Sequence, residues 1–246
     1  MIGITLRDVS FQYTKNNFAL KNLTLDIPAG TFLGVIGTNG SGKSTFSYLL
    51  NGIIPNLING ALTGEVLIDD VPTSNKKTAF FAKQIGMVFQ DPDFSLFNLT
   101  VKEEIEFGIK NLKLDNMAER TQKALQIVDL QKFENRDPQT LSLGEKQKVC
   151  LASVLAMDTK YIVLDEPSAM LDYKGSFELY QILAELHKQG RTIISIEHDT
   201  DFLWQFATDI LLLDNGSKAA YGSKQHIFNN TALLKNLGIK IPNMHL

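Results

Sequence analysis

The sequence predicts an α/β fold built on a mainly parallel sheet, and three observations predict it. Four short apolar runs, at 85–89, 161–164, 192–196 and 210–213, are nearly unbroken, as strands covered on both faces by helices are. Helical stretches separate the last three, among them 177–188, which ends at Gly190. A further apolar run at 31–36 stops at Gly37, and a glycine-rich loop then leads into a helical pattern at 43–51.

The opening third reads as strands. Ile4 and Leu6, then Val9, Phe11 and Tyr13, keep a two-residue period on either side of a slip. A second alternating stretch at 23–27 ends in the turn Pro28-Ala29-Gly30. From about 91 to 156 the pattern is mostly helical. There Met117, Thr121, Ala124, Leu125 and Val128 fall on one helix face, which reads as a helical insertion between two core strands. The residues after about 225, through 246, read as a short helical tail.

A chain of 246 residues with 44% hydrophobic residues is long enough to bury a sizeable core. Its 24 Lys+Arg against 27 Asp+Glu, net charge −3, argue against broad adhesion to nucleic acid. The single cysteine, Cys150, fits a reducing compartment. The alternating N-terminus lacks the build of a signal peptide, and no apolar run approaches the roughly 18 residues of a spanning helix. The expectation is a protein soluble by itself, held at any membrane by a partner.

The loop Gly37, Thr38, Asn39, Gly40, Ser41, Gly42, Lys43, Ser44, followed by Thr45, carries the strongest chemistry. A triphosphate presents negative oxygens, and a concave row of backbone N–H groups at a helix N-terminus is their natural receptor. Glycines let the main chain approach the phosphates. Lys43 supplies charge to the β- and γ-phosphates, and the Ser44 hydroxyl suits Mg²⁺. The order GxxGxG-Lys-Ser between a strand and a helix favours ATP over a dinucleotide. Asp165-Glu166 ends the 161–164 run at the edge where α/β sheets bind ligands. Asp165 is the candidate Mg²⁺ carboxylate and Glu166 the candidate general base for the attacking water. Leu141-Ser142-Leu143-Gly144-Glu145 has an ordinary reading as a Ser142/Glu145 capping box. A capped helix end beside a glycine also suits a phosphate. The two readings are compatible.

These residues, in this order, resemble the nucleotide-binding subunit of ABC transporters over nearly the whole chain. The resemblance implies a phosphate-loop NTPase fold in one ABC ATPase domain, 1–246. It implies a mainly parallel core sheet, an N-terminal antiparallel β subdomain and an inserted helical subdomain. Residues 141–145 are then similar to the family's signature motif, with Ser142 and Gly144 as nucleotide contacts. Gln90 matches the glutamine that touches metal and water, His198 the histidine on the γ-phosphate, and Tyr13 the aromatic that stacks on adenine. Asp172 matches the loop joining two active sites. ATP and Mg²⁺ are the implied cofactors, and a second ABC ATPase subunit, identical or not, the implied partner. Leu143 and Glu145 depart from the usual signature glycine and glutamine. Leu143 adds bulk where the partner's ATP approaches, which tilts toward a heterodimer.

Residues 88–93, 96–97, 100–105, 107–108, 51–56 and 64–68 resemble the ATPases of energy-coupling factor (ECF) importers of vitamins and metal ions. That resemblance implies an integral membrane transport subunit and a substrate-binding membrane protein as partners, at the cytoplasmic face of the membrane. Asp91, Asp93, Glu103 and Glu104 would present an acidic surface to a basic coupling helix. The alternatives are a soluble ATPase of this family acting on ribosomes or DNA, and a regulatory cassette with weak hydrolysis. Trp204, His187, His226 and His245 receive no functional role.

Overall fold

The computed structural model describes residues 3–15 and 17–244, so His245 lies outside the described residues. In chain order the elements are β1 Gly3–Thr14, β2 Asn17–Pro28, β3 Phe32–Gly37, α1 Lys43–Leu50, α2 Ile53–Asn56, β4 Ala61–Ile68, β5 Val71–Pro72, α3 Thr78–Phe81 and β6 Ile85–Val88. There follow α4 Val101–Leu112, α5 Met117–Ile127, α6 Leu143–Ala156, β7 Tyr161–Asp165, α7 Tyr173–Lys188, β8 Thr192–Ile196, α8 Thr200–Phe206, β9 Asp209–Asp214, β10 Ser217–Ser223, α9 Lys224–Asn229 and α10 Thr231–Asn236.

The apolar runs form one six-stranded sheet in the order β10-β9-β3-β8-β7-β6. Its strands are parallel except β10, which pairs antiparallel with β9. Every residue of β3, β7 and β8 is buried, which is why their sequences run unbroken rather than alternating. The period of two persists underneath. Phe32, Ile36, Ile162, Leu164, Ile210 and Leu212 enter the cluster packed by α4 to α7. Their neighbours Leu33, Val35, Tyr161, Val163, Leu211 and Leu213 enter the opposite cluster, against α1 and the second sheet.

That second sheet is antiparallel, β2-β1-β4-β5. The slip in the period of β1 is a bulge: pairing jumps from Leu6↔Leu25 to Val9↔Leu23, and Asp8 takes φ +48°. The Asp8 backbone N–H donates to the Thr24 hydroxyl at 3.0 Å, and that hydroxyl donates back to the Asp8 carboxylate at 2.9 Å. An extra residue thereby returns Val9 and Phe11 to the core face.

The segment between β6 and β7 folds as α4, α5 and α6 with short 3₁₀ turns. Thr121, Ala124, Leu125 and Val128 are its buried face, as their spacing predicts. Thr100 with Glu103, and Ser142 with Glu145, form complete capping boxes at the starts of α4 and α6. Three strands have no clear signature in the sequence. β10 is an edge with no fully buried residue, β4 is mostly exposed until Val66, held by pairing with β1, and β5 is only two residues long. β6 stops at Val88, one residue before the predicted end, because the chain leaves the ladder there and turns Phe89 and Gln90 outward.

Candidate nucleotide site

β3 delivers the chain to Gly37, and the loop rejoins regular structure at α1, whose N-cap is Gly42. Gly42 sits at φ +100°, and a Cβ there would lie 2.5 Å from the Ala19 carbonyl oxygen. Only glycine meets both conditions. No side chain caps α1 and no acidic residue occupies its first turn, so its N–H groups are left for an anion. Lys43 is buried, and its Nζ donates to the carbonyls of Gly37 at 2.9 Å and Thr38 at 3.2 Å. Burial lowers the pKa of Lys43, while the charges of Glu166 and Asp165 pull it back up. A phosphate would exchange those loop carbonyls for a full negative charge.

A cleft of about 430 Å³ opens over this loop, lined by Asn39, Gly40, Lys43, Ser44 and Thr45 with Tyr13, Phe18 and Glu166. The Tyr13 hydroxyl is 3.0 Å from the Thr45 hydroxyl, and its ring packs edge-on against Phe11 at 4.9 Å. The ring is thus held at the cleft's rim with one edge exposed.

Asp165 is buried at the end of β7, and its Oδ1 lacks a hydrogen-bond partner. Burial raises its pKa and Glu166 adds to the rise, while Ser44, Lys43 and His198 work against it. A buried, orphaned carboxylate oxygen close to a hydroxyl is the donor chemistry of a hard divalent cation. Asp165, Ser44 and Gln90 line one continuous groove. The residues present therefore fit Mg²⁺.

Glu166 is the next residue. Its Oε1 lies 2.8 Å from Nε2 of His198, and its Oε2 accepts from Nε2 of Gln90 at 2.8 Å. Its backbone is left-handed, φ +50°, and its N–H donates to the Ile196 carbonyl at 3.0 Å. A non-glycine residue held in this region carries strain that its surroundings must offset. The result is a carboxylate placed by three strand ends: Gln90 after β6, Glu166 after β7 and His198 after β8.

A family model of ABC transporters matches residues 20–169. The chain belongs to the ABC transporter family. It is 37% identical, over 97% of its length and 76% of the relative's, to the energy-coupling factor transporter ATP-binding protein EcfA of Methanothermobacter thermautotrophicus. Among solved structures it is similar to cbiO1 of Clostridium perfringens, described as part of the ABC transporter complex cbiONQ. That match has TM-score 0.83 and 31% identity, over 96% of this chain and 94% of that one. It is similar too to the dimeric bacterial ABC transporter cassette MJ0796, with TM-score 0.76 and 30% identity, over 89% of this chain and 98% of that one. A post-hydrolysis state of MJ0796 holds ADP and phosphate. This chain is an ATP-binding ABC ATPase.

Within this ATPase the nucleotide-site residues expected from the sequence divide in two. Tyr13, the 37–45 loop, Gln90, Asp165, Glu166 and His198 converge. Ser142 and Gly144 line neither the cleft nor the groove. Instead the Ser142 N–H and hydroxyl both donate to Glu145 Oε2 at 2.8 Å, and Leu143 beside them is exposed. Asp172 caps α7 by accepting from the Gly175 N–H at 2.7 Å.

The acidic surface expected around 91–104 takes a different form. Glu104 is 5% exposed, and its Oε2 accepts from the Phe97 and Asn98 N–H groups and the Asn98 amide. Glu103 and Asp91 cap helices, and Asp93 pairs with Lys146. Asp93 and Glu103 stay exposed, but large apolar groups share the surface with them: Phe94 is 91%, Leu99 80% and Phe97 64% exposed. Phe89, Phe94, Phe97 and Phe107 flank a groove of about 700 Å³ that runs inward to Ser44 and Asp165. Two further residues stand at the site without a signal in the sequence: Phe18, exposed beside Tyr13, and Glu197, a buried carboxylate next to His198. Phe18 had no periodic signal. Glu197 was visible only as the residue before a histidine.

Gly42→Ala tests the loop directly. The added Cβ meets backbone at 2.5 Å in a conformation that L residues resist. Affinity for a fluorescent ATP analogue is expected to fall by about tenfold or more, as about 1.4 kcal/mol of loop strain dictates.

Proposed function

We propose that this ATPase energises an ECF-type importer of a vitamin or a metal ion, working as one of a pair of ATPase subunits at the cytoplasmic face of the membrane. The observation that carries the hydrolytic half is the Glu166 carboxylate, held by Gln90 and His198 beside the phosphate loop. ECF-type transport is supported by the likeness to EcfA and to cbiO1. Among the described residues no helix is long and apolar enough to cross a membrane, so attachment is assigned to a partner.

Lys43 and the N–H groups at the start of α1 bind the β- and γ-phosphates. Tyr13 presents its ring to the adenine. Ser44, Asp165 and Gln90 would hold Mg²⁺, which would supply charge neutralisation on the phosphate oxygens. Glu166 orients and deprotonates the attacking water, and the contact of its Oε1 with Nε2 of His198 holds the imidazole beside the γ-phosphate position. Ser142, exposed at the start of α6, and the half-buried Gly144 serve the nucleotide of the partner subunit. Leu143 narrows that approach, which favours a non-identical partner. The aromatic groove receives an apolar segment of the membrane subunit, and its inner end at Ser44 and Asp165 gives docking a path to the metal residues.

Glu166→Gln keeps the shape and removes the base. Steady-state phosphate release by the chain with its co-purified partners should drop by about 10²-fold or more, with ATP still bound. Wild-type turnover would remove Glu166 from the role. Phe94→Ser with Phe97→Ser should leave ATP binding unchanged and abolish recovery with a small integral protein from detergent-solubilised membranes. Undiminished recovery contradicts the groove assignment, and recovery only with ribosomes or DNA contradicts transport.

A further inference from the structure

We propose that Glu197 is a positioning residue for ATP hydrolysis, its buried carboxylate tying the loop after β7 to the loop after β8 so that Glu166 and His198 keep their relative placement. The inference rests on the reading of Glu166 and His198 as the hydrolytic pair.

Glu197 follows β8 and its side chain turns inward, 2% exposed, while the adjacent His198 turns out. Oε1 accepts from the Ser168 N–H at 3.2 Å, the Ser168 hydroxyl at 2.7 Å and the Tyr180 hydroxyl at 3.0 Å. Oε2 faces the His198 N–H at 3.3 Å. The Tyr180 hydroxyl, fully buried on α7, is also 2.9 Å from the buried Ser195 hydroxyl of β8. One carboxylate therefore joins the backbone two residues after Glu166, the backbone of His198 and the helix that Asp172 caps.

All four donors are neutral. Taking a carboxylate out of water toward neutral donors alone is unfavourable. Burial accordingly pushes Glu197 up to about 7, and the hydrogen bonds from Ser168, Tyr180 and His198 act in the opposite sense. A residue that merely filled this space would be apolar, as its neighbours Ile194 and Ile196 are. An apolar residue would leave the Ser168 and Tyr180 donors without their acceptor, and the two loops would move independently. The carboxylate is the one side chain of this size with acceptors at both ends of its fork. Glutamine has the same shape but replaces one acceptor by a donor, so it must oppose either the Ser168–Tyr180 side or the His198 N–H.

The test measures phosphate release over a range of ATP concentrations at saturating Mg²⁺, for the full chain with its co-purified partners. Turnover is counted per bound non-hydrolysable ATP analogue, so that loss of folded sites does not register as loss of kcat. Glu197→Gln is expected to lower kcat about tenfold while KM and analogue affinity stay within about twofold, since the loss falls on placement and not on ATP binding. Wild-type kcat in Glu197→Gln, with Glu166→Gln inactive, overturns this inference alone. A KM rising in step with the fall in kcat also overturns it, because the residue would then act on nucleotide binding. Glu166→Gln at wild-type turnover overturns the reading beneath it. Should Glu197→Gln not fold, Ser168→Ala decides: it keeps the backbone donor and removes only the hydroxyl. It is expected to lower kcat about threefold at unchanged KM, and wild-type kcat there overturns the inference.

Discussion

The hydrogen bond from the Glu166 N–H to the Ile196 carbonyl holds the site together, because it locks the end of β7 to the end of β8. It leaves Glu166 left-handed at φ +50°, a conformation that turns the side chain across the sheet edge instead of continuing the strand. In sheet order β7 lies between β8 and β6, so His198 and Gln90 arrive on either side of that carboxylate. β3, with the phosphate loop, is the next strand beyond β8. At about 4.8 Å between strands, loop, histidine, glutamate and glutamine occupy about 14 Å of one edge. That row matches the reach of a triphosphate and its water.

Legibility in the sequence followed how local each physical demand was. The phosphate loop is local: its glycines, lysine and serine must be contiguous, so the string itself announces the chemistry. Buried parallel strands are also local, since covering both faces requires an unbroken run. β10 carries no such demand, being an edge that pairs on one side, and its residues Ser217 to Ser223 hold no pattern. Gln90 has no local signature either. It is an exposed residue just past β6, and its meaning comes from standing 2.8 Å from a residue 76 positions away.

The acidic stretch shows how a correct composition produces a different surface. Asp91, Glu103 and Glu104 each satisfy backbone N–H groups near a helix start, as carboxylates there do. Glu104 is buried by this use, Asp93 and Glu103 stay exposed, and the open face carries aromatic groups beside them. Glu197 is the converse case: a charged residue in an apolar setting, whose purpose appears only once Ser168 and Tyr180 are seen around it. Both show that a carboxylate's role is set by which donors the fold brings to it.

Gln90 and His198 both contact the Glu166 carboxylate, and we propose that they act through it. A double-mutant cycle of Gln90→Ala and His198→Ala on steady-state phosphate release tests it most directly. The account predicts strong coupling: the double variant loses little more than the weaker of the two single variants, with an interaction energy of about 1 kcal/mol or more. Losses that multiply independently would contradict it, because each residue would then be acting without Glu166.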